Sequence, residues 1–277
     1  VSDKPLFHSL TLEAGLRYSS YTVPGAASQN KTTTWKVGGS WEPVESLKIR
    51  GNYSRAVRAP NIGELFTPQS VGLTNLGVDP CAGAAPTTNA NLRAICIAQG
   101  APAGTIGSIT NPTAAQANIT VSGSLDLTPE TADTYTIGAV FQPEFIPGFS
   151  ISIDYYNIKI KDVIGAPLPG DIIAQCFNTI TAASATDPAC LSTRRNPITG
   201  GLDGDPAITG GLFGITNNLG RLSTSGVDLL ANWRGDIGFA DLSLAFVGNW
   251  TESSVFNSDP TSPVAIDREC VGYYSVN

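Results

Sequence analysis

The sequence predicts an all-β fold: an antiparallel transmembrane β-barrel, to which the chain contributes about seven or eight strands. Three observations predict it. Segments of roughly 10 residues alternate apolar and polar side chains with period 2, the mark of a strand with one apolar face. The connections between those segments are by turns short and very long. All five cysteines fall on the side of the long connections.

The segments can be taken in order. Leu10, Leu12, Ala14, Leu16 and Tyr18 alternate with Thr11, Glu13, Gly15 and Arg17. Trp35, Val37, Gly39 and Trp41 alternate with Thr34, Lys36, Gly38 and Ser40. Leu47, Ile49, Gly51 and Tyr53 follow the same rule, as do Tyr135, Ile137, Ala139 and Phe141. Phe149, Ile151, Ile153 and Tyr155 continue it, and Val227, Leu229, Ala231 and then Leu242, Leu244, Phe246 complete about seven strands. Each is near the ~9–11 residues that cross a bilayer at a tilt. Val271-Gly272-Tyr273-Tyr274 reads as the approach to a further strand.

Short turns are expected at Pro43–Ser46, Pro143–Gly148 and Gly235–Asp241, and long loops at about 60–127 and 166–218. Structureless loops longer than ~12–15 residues are uncommon in compact soluble domains. Membrane barrels, in contrast, pair short turns at one end with long loops at the other. Trp41, Phe141, Phe149 and Trp233 lie near the short turns, while Tyr18, Trp35, Tyr53, Tyr155 and Trp250 lie toward the opposite ends. Two such girdles suit the two membrane interfaces.

Composition agrees. Of 277 residues, 42% are hydrophobic and 14% charged, well under the ~25% charged usual for soluble domains. No run reaches the ~18 apolar residues of a membrane helix, which leaves a closed barrel as the way to satisfy backbone groups in lipid. A net charge of −7 argues against a nucleic-acid partner, which needs a basic face. The chain opens Val1-Ser2-Asp3-Lys4 without an apolar leader and contains no Met, so a mature or internal segment is expected.

Cysteine spacing predicts two local disulfides, Cys81–Cys96 and Cys176–Cys190, which suit an oxidising compartment. Cys270 is left over, with a partner expected beyond Asn277. The polar faces carry Glu13, Arg17, Lys36, Lys48, Arg50, Asn52 and Asp154. An eight-stranded barrel has room inside only for side chains, so this set reads as the wall of a wider, wet lumen, and the chain as a partial barrel.

Tyr53-Ser54-Arg55-Ala56-Val57-Arg58-Ala59-Pro60-Asn61-Ile62-Gly63-Glu64-Leu65-Phe66 closes one of these strands, because Pro60 lacks the N–H that a ladder needs. The segment resembles one found in the barrels of TonB-dependent outer-membrane receptors. The likeness continues through Leu127-Thr128-Pro129-Glu130-Thr131-Ala132-Asp133-Thr134-Tyr135, Pro147-Gly148-Phe149-Ser150-Ile151-Ser152-Ile153-Asp154-Tyr155-Tyr156, and Gly226-Val227-Asp228-Leu229. These segments occur in the family's order. The resemblance implies a barrel of about 22 strands whose lumen holds a plug, with the chain as one portion of that barrel and the plug domain outside it. It also implies a Gram-negative outer-membrane location, TonB as a partner acting through the plug, and outer-membrane lipid as surroundings. The cargo it implies is a scarce small-molecule or metal-chelate substrate such as a ferric siderophore. The alternative is a passive porin or a surface adhesin barrel.

Within the motif, Arg55, Arg58 and Glu64 invite a ligand or catalytic role, against which stands a rim of salt bridges; Pro60, Asn61 and Leu65 complete the set. His8 is the lone histidine, so neither a nucleophile–base pair nor a metal site is expected, and no cofactor. Asp203-Gly204-Asp205 lacks the spacing and closing Glu of a calcium loop and reads as a loop tip. The substrate-binding residues are left open. The disulfide-braced loops are the expected place of substrate contact, since rigid scaffolds present recognition on loops.

Overall fold

A computed structural model describes residues 2–26, 29–257 and 267–273. In chain order it begins with β1 (Ser2–Lys4), β2 (Phe7–Thr22), β3 (Gln29–Val44) and β4 (Leu47–Arg58). A first insertion holds α1 (Ile62–Phe66), β5 (Ser70–Asn75), α2 (Ala85–Thr88), α3 (Ala90–Ala98) and β6 (Gln116–Ser122). The strands β7 (Glu130–Phe141) and β8 (Phe149–Gly165) follow. A second insertion holds α4 (Pro169–Phe177), α5 (Pro188–Leu191), β9 (Thr193–Arg194) and β10 (Gly211–Ile215). The chain then runs through β11 (Asn217–Asp236), β12 (Asp241–Asn257) and β13 (Arg268–Glu269).

Nine strands make one sheet in the order β1-β2-β3-β4-β7-β8-β11-β12-β13, every neighbour antiparallel. The long strands β2, β3, β4, β7, β8, β11 and β12 are the seven that alternation predicts. Among the described residues β1 and β13 are the edges and do not pair, so the sheet is open rather than a closed barrel. The expected strand approach at Val271–Tyr273 is instead a turn following β13, and Tyr274 lies outside the described residues.

Among the described residues the apolar rows meet no opposing layer. Leu12 is 79% exposed, Ile137 57% and Trp250 64%, each in the alternating apolar row of its strand. In water a face of this kind would be an aggregation hazard; in lipid it is the outer surface of a barrel. Burial is concentrated elsewhere, in three clusters within the insertions and one at the rim formed by Val23, Leu65, Leu127 and Ile164.

The tight connections differ in detail from the sequence reading. β3 continues through Pro43 to Val44, which pairs with Leu47 across a two-residue turn, and the register shifts between Trp41 and Val44. Proline has no N–H for the ladder, so it is accommodated at that irregularity. At the β7–β8 turn Gly148 has φ +74°, and a Cβ there would sit 1.9 Å from the Arg234 carbonyl oxygen. Only glycine lets these two hairpins approach so closely.

The largest difference lies in the long loops. Read as connections, they fold into a cap with its own sheet, β5-β6-β10-β9, in which β6 and β10 are parallel. β5 and β6 come from the first insertion and β9 and β10 from the second, so the two insertions are one structure. Their strands run from 2 to 7 residues, too short for alternation to reveal them.

Candidate functional site

Three regions carry chemistry: the rim where β4 and β7 meet the cap, the cap itself, and the inner face of the wall. At the rim, Pro60 ends β4 and Asn61 starts α1 with a reciprocal cap. Its side chain accepts from the Glu64 N–H at 2.9 Å, and the Asn61 N–H donates to Glu64 Oε2 at 2.7 Å. Glu64 also accepts from Arg58 through two bonds of 3.0 Å. Arg58 donates on to Glu130 at 2.7 and 2.6 Å, and Glu130 Oε1 accepts the Ile164 N–H at 2.7 Å. Leu65 is buried beneath this network.

Partial burial pushes the Glu130 carboxyl up, but Arg58 and the Ile164 N–H together outweigh it and hold the group below its ordinary range. Arg58, bonded first to Glu130 and then to Glu64, is held protonated more firmly than usual. Both lie above the outer aromatic residues Tyr53 and Tyr135 in the paired register. The motif residues Arg58, Pro60, Asn61, Glu64 and Leu65 are therefore brought together as a clasp that fixes the entry to the cap. Arg55 is not part of it. It faces the opposite way, in a two-point pair with Asp133 at 2.7 and 2.8 Å.

In the cap, Cys81–Cys96 and Cys176–Cys190 are closed disulfides, while Cys270 bonds to no described cysteine. Phe177 and Ile180 pack against both disulfide clusters and so fuse the two insertions. Arg195 and Asp79, both with 0% side-chain exposure, form a two-point ion pair at 2.6 and 2.7 Å across the same junction. Arg195 further donates to Gln99 Oε1 at 2.9 Å and to the Gly200 carbonyl at 3.1 Å. Asn118 of β6 donates to the carbonyls of Thr209 and Gly204. Sequence reasoning missed Arg195, Asp79 and Asn118, because an isolated Asp or Arg in a polar loop carries no periodic signal.

A cleft of about 520 Å³ opens in the cap, lined by Thr105, Ser108, Thr110, Asn196, Thr199 and Asp203 among others. Its hydroxyl, amide and carboxylate groups are suited to a polar ligand. Asp203 and Asp205 do not converge on a common point. Asp203 accepts the Thr113 N–H at 2.8 Å and Asp205 the Ala207 N–H at 2.9 Å, which makes them turn-formers. Among the described residues no group of three or more His, Cys, Asp or Glu side chains is placed to hold a metal ion.

The inner face of the wall is a ladder of opposite charges. Lys36 pairs with Glu13 at 2.9 Å, Lys48 with Glu42 at 3.0 Å, and Arg50 with Asp154 through bonds of 2.8 and 2.6 Å. Asn249 donates to Asp228 at 2.7 Å. Exposed pairs contribute ~0–1 kcal/mol each, so their significance is a hydrated, polar lining rather than stability.

The family model described as TonB dependent receptor-like, beta-barrel matches residues 5–267. Among solved structures, a variant of the ferric enterobactin receptor PfeA from Pseudomonas aeruginosa, in complex with enterobactin, matches at 13% identity and TM-score 0.50, covering 94% of this chain and 30% of that one. The siderophore receptor PirA from Acinetobacter baumannii matches at 14% identity and TM-score 0.46, covering 94% and 30%. The FrpB iron transporter from Neisseria meningitidis matches at 12% and 0.40, covering 92% and 29%. The chain thus spans about 30% of the length of these receptors. No curated protein matches it.

Proposed function

The chain belongs to the TonB-dependent receptor-like β-barrel family, and from that premise we propose that it supplies part of the wall and mouth of an active importer for a scarce nutrient such as a ferric siderophore. The family resides in the outer membrane of Gram-negative bacteria and consists of transporters, not enzymes. The observation that supports import by capture is the cap. Two insertions separated in sequence, each braced by its own disulfide, are joined by a buried ion pair and a shared sheet at one end of the wall. A rigid, pre-ordered mouth loses little conformational freedom when it binds.

In this reading substrate first meets the cap, where the Thr/Ser/Asn-lined cleft offers hydrogen bonds. It then passes along the charged inner wall, whose paired Lys, Arg, Asp and Glu residues keep water in the lumen. Release is driven by TonB acting through a plug domain within a barrel of about 22 strands. The enterobactin held by the PfeA variant makes an iron chelate the first cargo to test. Uptake of radiolabelled ferric chelate by cells carrying the intact receptor should be saturable and should vanish when TonB is deleted. Linear uptake indifferent to TonB would instead indicate a passive pore.

A further inference from the structure

The polar cleft in the cap has a hydrogen-bonding sign as well as a size. Its volume of about 520 Å³ falls within the ~300–1,000 Å³ of small-ligand pockets. Thr105, Ser108 and Thr110 line it from the first insertion, and Asn196, Thr199 and Asp203 from the second. Two contacts fix its sides against each other. Asp203 Oδ2 accepts the Thr113 N–H at 2.8 Å. Gly200 has φ +78°, and a Cβ there would lie 2.7 Å from Thr105 Oγ1, so only glycine lets the second insertion close on the first.

The lining presents mostly acceptors. Thr105 Oγ1 donates to the Pro102 carbonyl at 2.9 Å, and Ser108 Oγ to the Thr105 carbonyl at 2.9 Å. A hydroxyl has one proton and two lone pairs, so both oxygens keep only lone pairs to offer a ligand. Asp203 adds a carboxylate, and its one bond to Thr113 leaves further lone pairs. Thr199 Oγ1 accepts the Gly201 N–H at 3.2 Å and keeps its proton to donate. The Asn196 side chain is committed within the cap, its oxygen to the Ile198 and Thr199 N–H groups and its nitrogen to Thr209 Oγ1. Among the described residues no Lys, Arg or His lines the cleft, and no aromatic ring. Residues 60–127 and 166–218 hold seven acidic side chains and three basic ones, and one of the three, Arg195, is committed to Asp79. A second cleft in the cap, of about 560 Å³, differs in kind: Leu191, Pro197 and Ile208 line it together with Arg194.

We propose that the polar cleft binds an uncharged, hydroxyl-rich ligand of the saccharide class and turns away anionic chelates. The inference rests on the reading of the cap as the place of capture. A polyol brings several O–H donors to a surface made mostly of acceptors, and its oxygens can still accept from Thr199. A site built to bond hydroxyls rejects a molecule lacking them, because the site's own polar groups are left unpaired. An anion fares worse. It sets lone pairs against lone pairs beside the Asp203 carboxylate, with no cation in the lining to offset its desolvation.

The test uses the intact receptor purified in detergent, with an array of neutral di- to tetrasaccharides and a triply anionic ferric tris-catecholate as probes. At least one saccharide should bind, with an affinity indifferent to ionic strength, since an uncharged ligand has nothing to screen. Asp203→Asn, which exchanges a charged acceptor for a neutral amide, should weaken that binding about tenfold, and Ser108→Ala about fivefold. Arg194→Gln, in the other cleft, should leave it unchanged. Hydrogen exchange of the cap amides verifies that each variant is folded. Retention of no saccharide overturns the inference; if the tris-catecholate then binds and enters cells through TonB, the importer reading stands without it. Saccharide binding that neither Asp203→Asn nor Ser108→Ala weakens in a folded cap overturns the inference as well. A saccharide that needs these residues to bind, yet enters cells without TonB, overturns the importer reading and leaves the ligand class of the cleft standing.

Discussion

Replacing Asp79 by Ala should loosen the cap while leaving the wall folded. The substitution removes the carboxylate that accepts two charge-assisted bonds, at 2.6 and 2.7 Å, from an Arg195 with 0% side-chain exposure. Gln99 and the Gly200 carbonyl would remain as neutral acceptors for a buried cation, and the Cys81 N–H would lose its 2.9 Å acceptor. Breaking one partner of a buried pair costs about 3–5 kcal/mol. In hydrogen exchange that is a rise in cap opening of roughly a hundredfold to several thousandfold. Amides of α3, β6 and β10 should exchange faster, and those of β7 and β8 should not. Replacing both residues by apolar ones, Asp79→Leu with Arg195→Met, should recover most of the loss, because no uncompensated charge remains. Unchanged exchange in the cap after Asp79→Ala would refute the reasoning, as would equal loosening of the wall.

Cys81→Ser/Cys96→Ser opens a loop with sequence separation 15 and should destabilise the cap by about 3 kcal/mol, read as a lower cap melting transition by calorimetry and weaker substrate binding, with the wall's transition unmoved. Ile137→Arg, on the outward face, should cost about 2–4 kcal/mol in folding into bilayers near the midplane, whereas Thr136→Arg, facing the lumen, should be far milder; equal penalties would reverse the assignment of faces. Glu130 is held below the ordinary glutamate value of 4.5, so its link to Arg58 stabilises the rim fully above that value and is lost as the pH falls through the folded value beneath it. Acid-dependent proteolysis at the β4–α1 junction should therefore flatten in Glu130→Gln.

Much of the molecule was legible from local pattern. Each wall strand separates two different surroundings, so its alternation is written residue by residue, as in Leu12/Glu13 or Ile49/Arg50, and needs no knowledge of distant partners. Pro60 as a strand stop, the paired spacing of Cys81 with Cys96, and the sidedness of the long loops were visible for the same reason. The division of the motif was not visible: Asn61 and Glu64 close a helix cap, and that Arg58 turns inward to Glu130 while Arg55 turns outward to Asp133 follows from strand pairing across 72 and 78 residues.

The sequence by itself determined the wall: its strands, its two faces, the direction of its turns and the compartment its cysteines require. Only the tertiary structure decided the cap. Its parallel β6–β10 pairing, its shared apolar clusters and the Asp79–Arg195 pair, 116 residues apart, join segments too short and too irregular to carry a period. Local alternation is imposed by what each side chain faces. A buried ion pair exists only once both insertions have folded around it, and no stretch of either insertion alone encodes that meeting.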